Sequence, residues 1–428
     1  MDEGTRDRSL LRHRDFMRLW SAESVSQLGS QVSLLALPLV AISVLHATTF
    51  EVGALTAVEF SPFVLFGLPA GAIVDRLRRR PILIWCDIGR AAALASVPIA
   101  SAFGSLTYAQ LVAVVFVTGT LTVFFDVAYQ SILPAIVDRD QLTDGNAKLE
   151  VSRSSAQTAG PGIGGLLVQW IGAASAVTAD AVSFVASALL IRSMRAHEPP
   201  PAPADETKTR LRALIGEIRE GLRYVLRHPV LRMIAGSTAT SNFFSSMSMA
   251  VFLLYAVRER HYSAGLIGII FTLGNVGALV GAVTTARVTR AVRLGPAIML
   301  GMLVSSLAML LIGLAPTQHA AVYFVVAWLV FGFGGTLYNI DQVSPRQAIT
   351  PHGLQGRMNA SMRFMVWGTM PFGSLAGAAL GSALGLRPTL LVGGIGGLLA
   401  VLWVLSRPVL ALREIPSPEL EPESEPAD

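Results

Sequence analysis

The chain has 428 residues, of which 52% are hydrophobic and 14% charged, whereas a soluble domain carries about 25% charged residues. Its mean hydropathy is +0.57. So few charges cannot coat the surface of a soluble enzyme of this length, which excludes that class and predicts an integral membrane protein. The formal net charge of +5 does not indicate a nucleic-acid partner, because the basic residues fall in short segments between apolar runs.

Apolar windows recur along the chain, each close to the length of about 20 residues that a helix needs to cross a bilayer. Because backbone amides need internal partners in hydrocarbon, runs of this length form helices rather than the shorter alternating strands of a barrel. An all-α membrane fold with twelve transmembrane helices is therefore predicted. The predicted spans are 19–45, 50–74, 81–103, 106–128, 147–169, 174–191, 230–257, 263–286, 295–314, 320–341, 360–384 and 388–409.

Basic residues concentrate in the connections that follow the even-numbered spans, for example Arg78 after the second span and Arg139 after the fourth. Positive charge is retained in cytoplasmic loops, so both termini are predicted to be cytoplasmic in a multi-pass protein of a bacterial inner membrane. The one long connection, 192–229, continues from a proline-rich stretch into an amphipathic pattern. This pattern predicts either an interfacial helix on the inner leaflet or a solvated linker helix.

The two halves of the chain repeat a set of residues at a nearly constant offset. Such a repeat indicates two six-helix bundles around a cavity, as alternating access requires. The predicted domains are a first bundle at 1–191, a cytoplasmic linker at 192–229, a second bundle at 230–410 and a disordered acidic tail at 411–428. The repeated pairs are Gly71 and Gly281, Asp126 and Asp341, Asn146 and Asn359, Gly160 and Gly373, and Gly164 and Gly377.

Two motifs resemble those of the major facilitator superfamily. The segment Gly71-Ala-Ile-Val-Asp-Arg-Leu-Arg-Arg-Arg80 is similar to the signature G-x-L-A-D-R-x-G-R-R, with Arg78 where the second glycine is usual. The segment Gly160-Pro-Gly-Ile-Gly-Gly165 resembles the G-P-x-x-G-G element of the antiporter branch. Together with Asp87 and Arg90, these motifs are similar to those of a bacterial efflux subgroup that contains enterobactin exporters and macrolide efflux proteins.

This resemblance implies a cytoplasmic gate between the two bundles. In the family's arrangement Asp75 approaches the start of helix eleven, where Asn359 is a candidate N-cap, and Arg76 or Arg79 bridges to Asp126. The alternative is that the arginines only set topology. Because Thr285 occupies the acid position of the second half, its gate is expected to be weaker. The predicted gate residues are Gly71, Asp75, Arg76, Arg79, Arg80, Asp126, Asn359 and Asp341.

Ionisable residues inside spans are costly, so they are candidates for proton coupling. Asp87 and Arg90 lie three residues apart on one helical face and are expected to pair, which keeps Asp87 ionised. Glu59 has no cation nearby on its own helix, so desolvation favours its protonated form, and it is the predicted proton carrier. Alternatively, Glu59 is a protonated structural group bonded to a facing helix. The predicted coupling set is Glu59, Asp87 and Arg90.

Two further groups of residues have open alternatives. Pro161 bends the fifth span in an antiporter-like motif formed by Gly160, Pro161, Gly164 and Gly165, although the glycines alone would also serve ordinary helix packing. The resemblance places the substrate cavity on helices one, four, seven and ten, where each polar or aromatic side chain could instead be an interhelical contact. The predicted cavity residues are Gln27, Gln31, Thr118, Thr122, Asn242, Phe243, Ser246, Met247, Trp328, Tyr338 and Asn339.

These features predict a monomeric secondary transporter that exports a drug, siderophore or other amphipathic secondary metabolite by proton antiport. It is expected to have no cofactor and no metal, since Cys86 is the only cysteine and no HExxH segment or phosphate-binding loop occurs. The alternatives are a proton symporter that imports a nutrient and, from other classes, an intramembrane enzyme or a non-transporting receptor. Accumulation rather than extrusion of a solute would favour the symporter.

Overall fold

A computed structural model describes residues 10–74, 77–138, 141–195, 216, 219–351 and 354–413. These ranges fold into helices joined by short connections and contain no strand, which confirms the all-α prediction. The helices of the first half are α1 Arg14–Ser43, α2 Thr49–Val74, α3 Arg79–Ala102, α4 Tyr108–Ile132, α5 Leu142–Ile171 and α6 Ala173–Ser193. Those of the second half are α7 Pro229–Leu254, α8 Ala264–Val292, α9 Leu294–Leu314, α10 Ala320–Ile349, α11 Gln355–Trp367, α12 Thr369–Leu384, α13 Leu386–Val404 and α14 Arg407–Leu410.

Within the ranges that the structure describes, ten helices are long and apolar enough to cross a membrane. Two predicted spans correspond to helices outside that set. One is α5, which carries several charged residues in its first turns, and the other is divided at Gly368 into α11 and α12. The chain is therefore a multi-span membrane protein.

The chain packs into two compact units. The first comprises Met1–Asp205, Ala250–Thr272 and Ser374–Leu386, and in it α1 packs against α5 and α6 while α3 packs against α4 and α6. The second comprises Glu206–Met249, Leu273–Gly373 and Arg387–Asp428, and in it α9 packs along α10. The domain boundaries inferred from the sequence remain a prediction.

The connection between the halves is described only at its end. Residues 219–227 are helical, and Val225 is fully buried in a cluster with Leu231 and Met358. The Tyr224 hydroxyl donates to the Ile349 carbonyl at 3.2 Å. This end of the linker therefore packs on helices of the second half instead of lying free in solvent. Most apolar positions of the amphipathic pattern predicted within 192–229, and the tail from residue 414 onward, lie outside the described residues. These apolar positions are Leu211, Leu214, Ile215 and Ile218.

Candidate functional site

Four of the charged side chains that the structure describes are buried in the interior of the first unit. Asp87 and Arg90 on α3 are 0% and 4% exposed, Asp180 on α6 is 1% exposed, and Glu23 on α1 is 8% exposed. Helices α3 and α6 pack closely, as do α1 and α6, so the inward faces of three helices bring these groups into one region. Charges at such depth are retained only when they are paired or have a function.

The predicted pair of Asp87 and Arg90 forms. Arg90 Nη2 donates to Asp87 Oδ1 at 2.5 Å, and Arg90 Nη1 donates to Thr122 Oγ1 at 3.4 Å. The guanidinium carbon lies 4.2 Å from the centre of the Phe125 ring and 4.0 Å from that of Phe184. Two aromatic faces and a carboxylate thus hold Arg90 in one place, which suits a fixed countercharge.

Glu23 belongs to the cluster although its position in the sequence did not predict it. Its Oε1 accepts a 2.7 Å hydrogen bond from Gln27 Nε2, one turn along α1. Its other oxygen, Oε2, is buried and has no hydrogen-bond partner within the described chain. Asp87, Arg90 and Asp126 are all close enough to act on this carboxyl electrostatically. A buried carboxyl with an unused oxygen beside two other acids is suited to hold a proton.

Asp180 adds a third buried carboxyl. Ser183 Oγ donates to Asp180 Oδ1 at 3.1 Å, and the Ser33 hydroxyl of α1 lies beside the same carboxyl. A Cβ at Gly29 would stand 2.6 Å from Asp180 Oδ1, so glycine is what allows α1 to approach α6 here. Among the residues that the structure describes, Glu23, Asp87 and Asp180 therefore share one buried arginine. Three ionised carboxylates with a single cation are unfavourable at low dielectric, and the arrangement favours retention of at least one proton.

Glu59 lies apart from this cluster. It is half-buried on α2, and its backbone carbonyl is near Gly119 of α4. In the part of the chain described by the structure, no charged group is close enough to influence its carboxyl. The structure thus leaves Glu59 as an isolated acid and brings Asp87 and Arg90 together elsewhere. Its predicted role in proton transfer stays a prediction.

The predicted cytoplasmic gate is described only in part. Asp75 and Arg76 lie outside the described residues, and Gly71 is the fourth residue from the end of α2. Arg80 Nε donates to the Ile191 carbonyl at 3.2 Å, so its guanidinium interacts with the carboxyl end of α6. Arg79 is the first residue of α3, and Asp126 is half-buried near the end of α4. The gating roles of these residues remain predictions.

The corresponding positions in the second half have neutral partners. Thr289 Oγ1 lies 2.9 Å from both carboxylate oxygens of Asp341 and donates a hydrogen bond to that carboxylate. The expected N-cap role of Asn359 is wrong, because α11 begins at Gln355 and Asn359 lies inside the helix. There its side-chain oxygen accepts a 3.3 Å hydrogen bond from Arg346 Nη2. The helix starts earlier than hydropathy suggests because its first turn is polar.

The antiporter-like motif is a contact between helices. A Cβ at Gly164 would be 3.1 Å from the Val32 Cα of α1, and one at Gly160 would collide with the Gln31 side chain. On another face of α5, a Cβ at Gly165 would collide with the Ala264 carbonyl at the start of α8. Pro161 lies within the same helix and is buried. Small residues on two faces therefore let α5 approach α1 and α8 closely.

The cavity residues predicted in the first half divide between the cluster and helix packing. Gln27 and Thr122 bond to Glu23 and Arg90 respectively. Gln31 packs over the Gly160 position, as described above. The Thr118 hydroxyl on α4 is buried without a hydrogen-bond partner in the described structure. Two of the four therefore belong to the charged region.

Most of the cavity residues predicted in the second half make interhelical or core contacts. Tyr338 is 6% exposed and its hydroxyl lies 2.6 Å from Thr238 Oγ1. Asn242 Nδ2 donates to the Val366 carbonyl at 3.2 Å. The remaining side chains are Phe243, edge-on to Phe244; Trp328, edge-on to Phe331; Ser246 and Met247, which are buried; and Asn339, which is exposed and accepts from Gln342.

Residues 7–426 match the family model described as transmembrane secretion effector. The chain belongs to this family. The resemblance to the major facilitator superfamily and the interpretation as a transporter rather than an enzyme are thereby confirmed. In the described residues, no group of three or more His, Cys, Asp or Glu side chains is arranged to hold a metal ion.

Two characterised relatives cover most of this family member. The multidrug efflux pump Tap of Mycolicibacterium fortuitum is 29% identical over 339 residues, 77% of this chain and 80% of its own. The enterobactin exporter EntS of Escherichia coli O1:K1 / APEC is 25% identical over 402 residues, 91% of this chain and 88% of its own. Both are named as export proteins, and the coverage indicates similarity along nearly the whole transporter.

Solved structures show the same fold. A bacterial homologue of the iron transporter ferroportin, crystallised in an inward-facing state, superposes with a TM-score of 0.74 at 16% identity, covering 92% of this chain and 98% of that one. The nucleoside transporter NupG superposes with a TM-score of 0.70 at 12% identity, covering 91% and 98%. At these identities the likeness extends to the fold of the transporter and not to its substrate.

Proposed function

We propose that this protein is a proton-driven exporter of small amphipathic molecules across a bacterial inner membrane, with both termini in the cytoplasm. Export is supported by the names of its two relatives, one a multidrug pump and the other an exporter of a siderophore. Proton coupling is supported by the buried cluster in which Glu23, Asp87 and Asp180 share Arg90. That cluster is the observation that carries the proposal.

Within this proposal, Glu23 exchanges the coupling proton. Asp87 is committed to Arg90 by their 2.5 Å contact, and Asp180 has Ser183 and Ser33 as hydroxyl neighbours. Glu23 and Asp87 each have one buried carboxyl oxygen without a hydrogen bond. The other oxygen of Asp87 is held by the Arg90 cation, whereas that of Glu23 is held only by the neutral amide of Gln27, so the Glu23 carboxyl is the freer of the two to take up a proton. A change in the distance between α1 and α3 would alter the field of Arg90 at Glu23 and so bind or release the proton.

The test uses everted membrane vesicles that carry a proton gradient, with ethidium and enterobactin as separate probes. A transported probe should dissipate part of the gradient in the native protein. Glu23→Gln keeps the size of the side chain and can still accept from Gln27, but it cannot cycle a proton. We expect it to bind the probe and to lose both the gradient change and uphill transport.

Two further variants make the test specific. Glu150→Gln removes an exposed acid of α5 and should behave like the native protein. Glu59→Gln asks whether the isolated acid of α2 carries the proton instead. Normal exchange by Glu23→Gln, with loss in Glu59→Gln, would transfer the role to Glu59. Probe accumulation in whole cells would contradict export and favour the symporter.

The proposal retains the cytoplasmic gate formed by the motif after α2. Asp75→Asn should leave insertion and expression intact while it reduces export, since topology depends on positive charge and not on this acid. Quantitative membrane blotting and ethidium efflux on the same cells measure the two effects. Full efflux by a normally expressed Asp75→Asn variant would show that the motif serves topology alone.

A further inference from the structure

An apolar groove runs along the outer surface of α3 and α6 and encloses about 550 Å³. Small residues form its floor, including Ala91 and Ala95 on α3 and Ala181 and Ala188 on α6. Larger side chains such as Val185, 48% exposed, border it. Alanines facing each other across two packed helices leave a channel that leucine or isoleucine would fill.

The dimensions of the groove fit one acyl chain. On α6 the lining extends from Thr178 to Arg192, about 21 Å at the rise of an α-helix. On α3 it extends from Ile84 to Ala95, about 16 Å. One leaflet of the hydrocarbon core is about 15 Å thick, so a chain in the groove would span its own leaflet.

Among the described residues that line the groove, the one charged side chain lies at one end. Arg192, the last lining residue of α6, is exposed. Arg80 lies at the same end, because its Nη2 donates to the Arg192 carbonyl at 2.5 Å. Arg195 follows within one turn and is also exposed. The neighbouring acid, Asp15, accepts from Arg18 Nη1 and from the Arg195 backbone amide. The described residues at this end therefore have an excess of positive charge.

We propose that the α3–α6 groove is a binding site for an anionic phospholipid, with one acyl chain on the alanine floor and the phosphate at Arg192. The apolar lining alone would accept any lipid chain. Guanidinium groups at this end add charge complementarity to a headgroup that carries a net negative charge, and a nearby cation favours anionic over zwitterionic lipid about fivefold. This site is separate from the buried acid cluster and is independent of proton coupling.

Native mass spectrometry of the full chain, released from detergent, tests the proposal with phosphatidylglycerol and phosphatidylcholine of identical 16:0/18:1 chains. We expect one retained phosphatidylglycerol at low lipid concentration and a preference of about fivefold over phosphatidylcholine. Arg192→Gln should remove that preference and Arg192→Lys should restore most of it. Arg407→Gln deletes an exposed arginine at another helix end and should change nothing.

A second pair of variants tests the groove itself. Ala92→Phe places a ring in the lining from an exposed position and should abolish retention of the lipid. Val283→Phe adds the same ring at a residue of α8 that is 74% exposed and should have no effect. Equal retention of both lipids, loss of preference in Arg407→Gln, or unchanged retention in a folded Ala92→Phe protein would each overturn the proposal.

Discussion

Replacing Arg90 by Met tests how strongly the buried cluster depends on this cation. The substitution removes the 2.5 Å contact with Asp87 and the stacking on Phe125 and Phe184, while Met retains much of the apolar stem. Removal of one partner of a buried ion pair costs about 3–5 kcal/mol, because the other charge stays buried without compensation. We therefore expect Arg90→Met to lower the free energy of unfolding by this amount. The double variant Arg90→Met with Asp87→Asn should lose less, because it leaves no unpaired Asp87 charge.

The protein contains its own reporter for this measurement. Cys86, the only cysteine in the chain, is buried directly before Asp87. A maleimide dye that fluoresces on reaction with a thiol will thus signal the opening of α3 during a thermal melt. Lys148→Met is the matched control, since it breaks an exposed pair with Asp144 that is worth about 1 kcal/mol or less. Equal melting shifts for Arg90→Met and Lys148→Met would refute the argument.

Two other substitutions test helix contacts. Gly165→Val puts a branched side chain against the Ala264 carbonyl, so transport of ethidium and the melting temperature should both fall. Gly71→Ala adds a methyl group that meets no described atom within 4 Å, so it should leave the melting temperature unchanged. Thr289→Val removes the hydroxyl that bonds Asp341 and should cost about 1.5–3 kcal/mol in the same thermal melt, as expected for a hydrogen bond to a charged group; an unchanged melt would show that another group satisfies the carboxylate.

Hydropathy was sufficient to locate the helices but not their ends. The tenth predicted span ends at residue 341, whereas α10 continues to Ile349. Its last turns contain Gln342 and Arg346, which bond to each other at 3.0 Å. Hydropathy falls where a helix leaves the hydrocarbon, but the backbone hydrogen bonds continue into the polar zone. For the same reason α11 begins five residues before the predicted span.

The candidate site shows where sequence reasoning reaches its limit. The spacing of Asp87 and Arg90 was enough to predict their pair, because residues three apart on a helix share a face. The sequence did not indicate Glu23 because it lies only one turn inside the predicted start of the first span. An acid near the end of a span costs little desolvation energy, so it is not a sign of function. Which face of α1 points into the unit depends on its packing against α5 and α6. These helices are distant in the sequence, so local sequence patterns do not reveal it. The spacing of Glu23 and Gln27, one helical turn apart, was the feature of the sequence that could have indicated a buried, hydrogen-bonded acid.

The charged residues of the two halves have different partners, and this difference favours the first half as the place of the proposed proton coupling. In the second half Asp341 accepts a hydrogen bond from Thr289. Thr289 stands 210 residues after Arg79 and so corresponds to it in the repeat, where a neutral residue replaces the cation. Arg346 bonds the neutral amides of Gln342 and Asn359, and Arg363 stacks 5.1 Å from the Trp367 ring. A neutral partner satisfies a charge without creating a competing acid, so nothing in these contacts favours exchange of a proton. In the first half, we expect the surplus of buried carboxyls over arginine among the described residues to make proton occupancy sensitive to small displacements of α1, α3 and α6.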